Sequence, residues 1–410
     1  IKQKMIDNNR QKYGVDWYNQ QPEAKNHIIQ SLVNRHASSI QDETKRNEYL
    51  QFRKNPKKYL ESLGNKISIY DLTQKLGYTD TTTIIDFINK HRLQSFIEYH
   101  KSTMELEVIS FLSSLDPNIE IIENDRNVIK PYELDIYLPE YSLAIECNPT
   151  VTHNSTLTLN MIIDKTDHNS LKSNYHKMKT DLCQQEGIFL FHIFGYEWTN
   201  KKEIIKSMLR NLINKNLQRL YARKLDVVVI DNDECLNFLN SNHRQGNAIS
   251  SIRLGLKTSE GELVSLMTFG RMRSTIGVTK DVSVDDWELI RFCNKCNTSI
   301  IGGASKLFRY FIRNYQFHKI ISFSDRAHTK GGLYKQLGFV ETNFSDPGYC
   351  WVNLNTDLYF HRVTCQKQNL KNLFKDESID IKNKTEKQIM VEHGFVQVFD
   401  SGVIRWEFGM

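Results

Sequence analysis

The sequence predicts a multidomain α/β protein with a helical N-terminal region. At 410 residues, the chain is longer than one hydrophobic core usually organises. The first hundred residues show helical spacing of apolar side chains and few apolar runs. From residue 102 onward, short apolar strands alternate with amphipathic helices. We therefore expect domains at residues 1–100, 101–221 and 222–410.

The composition excludes several classes of protein. Hydrophobic residues make up 40% and charged residues 25% of the chain, as in ordinary folded proteins and unlike disordered ones. No run reaches the roughly 20 apolar residues of a membrane span, and residues 1–10 lack the apolar core of a signal peptide. The seven scattered cysteines fit a reduced chain better than a disulfide framework. We expect a cytoplasmic protein.

The net charge of +6 is unevenly distributed along the chain. Residues 1–100 carry 16 basic and 11 acidic side chains, and residues 222–410 carry 25 and 21. Residues 101–221 carry 13 basic and 16 acidic side chains, so this segment alone is acidic. Basic segments attract polyanions such as nucleic acid, and an acidic centre suits a divalent metal ion. Random variation of surface charge is the alternative.

Residues 67–93 predict a helix, a turn at Gly77 and a second helix, the pattern of a helix-turn-helix. Leu72 and Leu76 recur at helical spacing in the first helix, and Thr81 can cap the second. In such a motif the second helix enters the major groove of DNA. The side chains that would face DNA are Thr82, Thr83, Lys90, His91 and Arg92. A plain helical hairpin is the structural alternative.

The middle segment predicts one α/β domain. Its expected elements are a helix over 102–115, strands at 119–124, 132–139 and 141–148, a helix over 170–186, a strand at 188–194 and a helix over 198–218. The C-terminal segment predicts a strand at 224–231, a hairpin across Glu260-Gly261, strands at 287–293 and 319–324, and a helix that starts at Gly302-Gly303. A capped helix over 382–394 and a strand pair end the chain.

Two carboxylates interrupt the apolar hairpin strands of the middle segment. Asp135 lies near the middle of one strand and Glu146 near the end of its partner, and alternation places Glu146 and Asn148 on one face. Two carboxylates in this arrangement can hold Mg²⁺ or Mn²⁺, which activates a water molecule for phosphodiester hydrolysis. Glu105, on the preceding helix, is a further candidate ligand. Alternatively, Glu146 points to solvent while Ile145 and Cys147 pack inward.

Residues 102–220 resemble the PD-(D/E)XK nuclease superfamily through ELDIYLP and the IECN element, especially its Vsr-like and phage homing-endonuclease-like (Hef-like) members. The resemblance implies that Asp135 and Glu146 bind metal and Glu105 assists. Asn148 stands where the superfamily usually carries Lys, so the candidates for the missing cation or base are His153 and Lys179, with Tyr175 and His176 beside them. The implied activity is Mg²⁺-dependent cleavage of double-stranded DNA, in the host cytoplasm if the chain is phage-encoded.

The C-terminal half resembles the GNAT N-acyltransferase fold in its order of hairpin, strand, glycine-rich helix start, strand and helix. The segment SFSDRAHTKGGLY is also similar to the Mom DNA-modification proteins. The resemblance implies that acetyl-CoA binds with its pyrophosphate at the helix start formed by Gly302, Gly303, Ala304 and Ser305. It also makes Ser324, Asp325 and Tyr334 site candidates. Two glycines can equally serve close packing of the helix on the sheet.

The sequence thus leaves three hypotheses open. The first is the metal-dependent DNA endonuclease, and the second is a DNA-base-modifying acyltransferase whose middle domain only binds DNA. The third is a DNA-binding or structural protein without catalytic activity. Cys293 and Cys296 form a lone CxxC motif whose only further candidate ligands are distant, so we do not expect a zinc site.

Overall fold

A computed structural model of the protein describes residues 22–78, 82–91, 93, 96–98, 103–155, 168–272, 283 and 285–409. The chain divides into two compact units, Ile1–Lys101 and Ser102–Met410. The second unit combines helices and sheets, which confirms the predicted mixed α/β class. A boundary at residue 221 inside this unit stays a prediction. None of the described helices is both long and apolar enough to span a membrane.

The first unit is a small helical body. Its elements are α1 Pro22–Ser39, α2 Glu43–Lys54, α3 Pro56–Ser62, β1 Ile67–Ser68, α4 Ile69–Lys75, α5 Thr82–Lys90 and β2 Ile97–Glu98. Leu72 and Leu76 share a core with Ile84 and Ile88 of α5, so α4 and α5 form the predicted helix pair. Thr83 and Lys90 are exposed. Thr81 and Arg92 lie outside the described residues, and DNA binding by this pair stays a prediction.

A four-stranded sheet opens the second unit. It consists of β3 Ile122–Asp125, β4 Leu134–Leu138, β5 Leu143–Asn148 and β6 Phe189–Phe194, in that order, with β5 and β6 parallel. The flanking helices are α6 Thr103–Leu115, α7 His168–Gln185 and α8 Gly195–Leu212. Side chains of α6 and α8 pack on one face and those of α7 on the other. Because both faces are covered, every residue of β5 is buried, including Glu146 and Asn148.

A seven-stranded sheet forms the larger core, with strand order β14-β18-β13-β11-β10-β9-β8. The strands are β8 Asp226–Val229, β9 Ile252–Lys257, β10 Leu263–Arg271, β11 Asp286–Asn294, β13 Lys319–Asp325, β14 Val340–Phe344 and β18 Val403–Gly409. The helices packed on it are α9 Asn232–Asn242, α10 Gly303–Asn314 and α11 Gly332–Leu337. The hairpin, strand, helix, strand and helix occur in the predicted order.

A small subdomain is inserted between β14 and β18. It contains β15 Tyr349–Asn353, β16 Tyr359–His361, α12 Leu370–Phe374, α13 Glu386–Glu392 and β17 Phe395–Phe399. The prediction that the last two strands pair with each other is wrong, because β17 pairs with β15 whereas β18 joins the large sheet between β13 and β14. The backbone N–H of Ser155 donates to the carbonyl oxygen of Gln397, and the N–H of Gln397 donates to the Ser155 hydroxyl, which connects the subdomain to the four-stranded sheet region.

The helix predicted over 198–218 is also corrected. It occurs as α8 and ends at Leu212. Asn214, two residues beyond that end, adopts a left-handed conformation with φ of 57°. Asn is one of the few non-glycine residues that tolerate this conformation, and it ends helices in this way. Residues beyond it form β7 Gln218–Tyr221, which pairs in parallel with β12 Thr298–Ile301.

Candidate functional site

The two hairpin carboxylates lie side by side in the four-stranded sheet. Asp135 accepts a hydrogen bond at its Oδ2 from the backbone N–H of Cys147, at 2.7 Å, which places it next to Glu146. Burial and the charge of Glu146 raise the pKa of Asp135 well above its ordinary value, against the opposing charge of Lys179. The negative charge of Glu105 acts on Asp135 in the same direction. The structure therefore brings Glu105, Asp135 and Glu146 together.

Lys179 of α7 provides the positive charge of this cluster. Its Nζ forms an ion pair with Oε1 of Glu146, and both side chains are 2% exposed. Burial alone would lower the pKa of Lys179, but the charges of Glu146 and Asp135 outweigh it and raise that pKa. Lys179 thus stays protonated and neutralises one of the carboxylates. Glu146 Oε2 and Asn148 Oδ1 are buried without a hydrogen-bond partner among the described residues.

Two hydrogen-bonded histidines, His153 and His176, lie near Lys179. His176 Nδ1 lies 2.6 Å from the carbonyl oxygen of Phe399, so Nδ1 carries the proton and Nε2 accepts from His153 Nδ1 at 3.3 Å. Burial lowers the pKa of His176 to about 4 and lowers that of His153 well below its ordinary value. Both rings are therefore neutral at neutral pH. The cation beside the carboxylates is Lys179, and His153 contributes only hydrogen bonds.

Asn148 belongs to a second buried chain of polar groups. Its Nδ2 lies 3.3 Å from His192 Nδ1, and His192 Nε2 lies 2.9 Å from the hydroxyl of Thr180. That hydroxyl is also 2.9 Å from the hydroxyl of Ser401, in the turn before β18. Hydrogen bonds thus connect Asn148 of the predicted cluster to Ser401, close to the last strand of the chain. Sequence reasoning missed Thr180 and Ser401, which lie 221 residues apart.

A second candidate site lies where β11 and β13 separate. The two strands pair in parallel over only three residue pairs, from Asp286↔Lys319 to Glu288↔Ile321. At the next position the hydroxyl of Ser322 donates to the carbonyl oxygen of Leu289, at 2.8 Å. We call the opening between the C-terminal halves of β11 and β13 the strand fork. No other described strand pairs with these halves along the edges that face each other.

Tyr334 of α11 places its hydroxyl at the strand fork. The hydroxyl lies 3.1 Å from Ser322 Oγ and 3.3 Å from the carbonyl oxygen of Phe323. Its ring stacks on Trp406 of β18, with centroids 5.5 Å apart. Burial raises the pKa of Tyr334, so the hydroxyl keeps its proton at neutral pH. Of the other predicted candidates, Ser324 accepts from the indole N–H of Trp406 at 2.8 Å, which is a packing role.

The predicted phosphate-binding residues form the start of α10. Gly302 is the N-cap, with φ of 76°, a left-handed conformation that favours glycine. A Cβ on Gly303 would lie 2.9 Å from Ile300 Cγ2, so Gly303 permits close packing. Both glycines thus have a structural explanation. The backbone N–H groups of Gly303, Ala304 and Ser305 precede the first intrahelical bond, from Lys306 N to the Gly302 oxygen, and suit an anion.

Asp325, the last of the predicted candidates, belongs to a buried charged network at the end of β13. Arg244 bridges Asp325 and Glu197, and His328 lies 3.1 Å from each of the same two carboxylates. Burial opposes the charge of His328, but Glu197 and Asp325 together raise its pKa. Sequence reasoning missed Glu197 and Arg244, because no local pattern joins them to Asp325, and it also missed His328, three residues after Asp325.

The comparisons with known proteins found acetyltransferases. No protein-family model and no curated protein matches the chain. One similar solved structure is that of the histone acetyltransferase HPA2 and related acetyltransferase from Corynebacterium glutamicum, with 16% identity, a TM-score of 0.23, and coverage of 30% of this chain and 88% of that one. Another, assigned as a phosphinothricin N-acetyltransferase, has 11% identity, a TM-score of 0.24, and coverage of 44% and 96%.

The prediction of a Mg²⁺-dependent DNA hydrolase is wrong. In the part of the chain that the structure describes, no group of three or more His, Cys, Asp or Glu side chains could hold a metal ion. One oxygen of each predicted ligand is already engaged, since Lys179 pairs with Glu146 Oε1 and the Cys147 N–H donates to Asp135 Oδ2. The carboxylate cluster therefore does not fit the predicted Mg²⁺ or Mn²⁺.

Proposed function

We propose that the protein transfers an acyl group from a thioester donor, such as acetyl-CoA, to an amine at the strand fork. The observation that carries this proposal is the buried hydroxyl of Tyr334 at the point where β11 and β13 separate. A protonated hydroxyl in that position can serve as a general acid. Beyond Glu288 and Ile321 the facing edges of β11 and β13 are not paired with each other.

The residues around the fork fit such a donor. The strand edges beyond Glu288 and Ile321 carry backbone N–H and C=O groups that an extended amide-containing arm can pair with. The start of α10, at Gly303, Ala304 and Ser305, offers backbone N–H groups and the positive end of the helix dipole to phosphate groups. A bound thioester supplies an acyl carbon activated toward nucleophilic attack.

The chain's own groups complete the proton balance of the transfer. The acceptor nitrogen forms a bond to the acyl carbon, the carbon–sulfur bond breaks, and the amine releases one proton to solvent. Tyr334 holds a proton at its hydroxyl, where it is available to the leaving thiolate. The tyrosinate is then reprotonated from water. Because burial raises the pKa of Tyr334, its hydroxyl is protonated and neutral before each turnover.

Labelled acetyl-CoA tests the proposal directly. The full chain is incubated with acetyl-labelled donor in three separate reactions, which contain duplex DNA, single-stranded DNA or a lysine peptide as the acceptor. Release of free thiol and the mass of the recovered acceptor are then measured. We expect donor binding by calorimetry and acetylation of one acceptor class. DNA bases are included because the C-terminal half resembles Mom-like proteins. Absence of donor binding would contradict the proposal.

Tyr334→Phe provides the matching variant. It removes one hydroxyl and leaves the ring that stacks on Trp406. We expect kcat to fall by about 10²–10⁴ while donor affinity stays unchanged, because general acid catalysis contributes in this range. Tyr315→Phe removes a hydroxyl from another half-buried tyrosine of the same core and is the control. Equal activity of Tyr334→Phe and the control would contradict the role of Tyr334.

A further inference from the structure

A cleft of about 720 Å³ lies along α10, between this helix and the segment that leads into β8. Leu307, Phe308 and Phe311 occupy the side of the helix that packs on the core. The cleft side carries Gly302, Ser305, Lys306, Arg309, Tyr310 and Arg313, which recur at helical spacing. The opposite wall is formed by the segment from Tyr221 to Val227. The cleft therefore begins at the start of α10, at Gly302 and Ser305, and extends along the helix to Arg313.

Lys306 and two backbone carbonyl groups hold the two walls of the cleft together. Lys306 Nζ donates to the carbonyl oxygens of Ala222, at 2.9 Å, and of Leu225. A charge-assisted hydrogen bond of this kind is stronger than a neutral one. The segment after Tyr221 is thus held over the helix by a buried contact. The cleft has a built shape, and Lys306 serves that shape and not a ligand.

Three arginines supply positive charge to this cleft without a compensating acid. Arg223, Arg309 and Arg313 line it and are exposed. Within the described part of the chain, none of the three forms an ion pair with a carboxylate. Arg309 and Arg313 are also four residues apart on one helix, and like charges at this spacing repel each other. Such a positive surface suits a ligand with several negative charges along its length.

Aromatic side chains accompany the arginines. Tyr221 is 44% exposed, and the guanidinium of Arg223 lies 5.3 Å from the centre of its ring. Tyr310, on the helix side of the cleft, is half-buried, and it lines the cleft while also packing against the core. Arginines that follow a backbone and aromatic rings that stack with bases are the combination that binds nucleic-acid strands. An acidic peptide would use the arginines but would leave the rings without a role.

We propose that this cleft binds a nucleic-acid strand, with Arg223, Arg309 and Arg313 at its phosphates and Tyr221 and Tyr310 against its bases. The inference does not depend on acyl transfer at the strand fork. It gives residues of the same helix two different roles. Phe311 belongs to the core, and Arg309 and Arg313 face the ligand.

Salt-dependent binding tests the proposal. The full-length protein is titrated against a fluorescent single-stranded oligonucleotide and against the same sequence as a duplex, over a range of salt concentrations. Because each phosphate contact contributes about 0.7 to the slope of log K against log salt for a single strand, Arg309→Gln/Arg313→Gln should lower that slope by about 1.4. Arg309→Lys/Arg313→Lys keeps the charges and should retain most of the slope. Tyr310→Leu should weaken the single strand more than the duplex.

A charge-matched variant separates this cleft from general electrostatics. Arg362→Gln/Lys387→Gln removes two exposed positive charges from the inserted subdomain and should leave the slope within error. Equal slopes for the cleft variant and the wild type, or an equal loss in the matched variant, would overturn the proposal. If Arg309→Gln/Arg313→Gln loses affinity for acetyl-CoA while its nucleic-acid binding is unchanged, the proposal would also be overturned. Retained oligonucleotide binding in Tyr334→Phe is expected, because Tyr334 belongs to the other site.

Discussion

Lys179 and Glu146 form an ion pair in which each side chain is only 2% exposed. Transferring two charges from water into such an environment is costly, and their mutual attraction only offsets that cost when the pair stays intact. The pair also lies beside Asp135, whose charge acts on both partners. Removing one partner of this pair should therefore cost more free energy of unfolding than removing both.

Lys179→Met should lower the free energy of unfolding by about 3–5 kcal/mol, because it leaves the Glu146 carboxylate buried and unpaired. Glu146→Gln/Lys179→Met should recover most of this loss, since it removes both charges. Lys177→Met is the control on the same helix. Lys177 pairs with Asp181 at 2.8 Å near the surface and should contribute less than about 1 kcal/mol. Equal losses in the two single variants, measured by urea unfolding, would contradict the prediction.

Asp135→Asn should stabilise the protein relative to the wild type increasingly as pH rises. Burial and Glu146 raise the pKa of Asp135 in the folded state, so the folded chain binds this proton more tightly than the unfolded chain. The contribution is present at low pH and is lost as pH rises through the folded pKa. Urea unfolding between about pH 4 and about pH 8 measures the difference. Asp346→Asn, on the surface, should show no such trend.

Acidification should destabilise the second unit through its buried histidines. Burial lowers the pKa of His176 from its ordinary 6.5 to about 4. The unfolded chain therefore binds more protons in this window, and stability is lost as pH falls from about 6.5 to about 4, by about 3 kcal/mol for His176 alone. His176→Gln should reduce this acid loss. His318→Gln, at a side chain that is 68% exposed, is the control and should retain it.

Gly331→Ala should destabilise the protein by about 3 kcal/mol, whereas Gly332→Ala should not. Gly331 has φ of 74°, and an added Cβ would lie 2.2 Å from Trp406 Cζ2, so backbone strain and a steric clash add together. Nothing lies within 4 Å of a Cβ on Gly332. Since Trp406 stacks on Tyr334, Gly331→Ala should also lower acyltransfer activity. Thermal unfolding of the two variants under one set of conditions decides the comparison.

The sequence predicted most elements of both sheets, because their signals are local. The helix before β3 follows the spacing of Met104, Val108 and Leu112, all of which are buried. The burial of Glu146 was harder to predict. Alternation along β5 leaves open whether Glu146 points to solvent, and the answer depends on α7, which covers the second face and supplies Lys179.

Pairing between distant segments could not be predicted from local patterns. Residues 218–221 continue the apolar spacing of α8, yet they pair with Thr298–Ile301, about eighty residues later. The conformation of Asn214 is the only local sign that the helix ends early. The Arg244 bridge between Glu197 and Asp325 has no local sign at all, because its three members come from three separate elements.

The position of β18 has a consequence for shortened forms of the chain. This strand lies between β13 and β14 in the large sheet, although the whole inserted subdomain separates it from β14 in sequence. A chain that stops before Val403 would open one hydrogen-bonding edge of β13 and would leave β14 without its only partner among the described strands. Open edges of this kind pair readily with other chains. Truncated products should therefore self-associate and precipitate, even though they retain nearly every residue of both candidate sites.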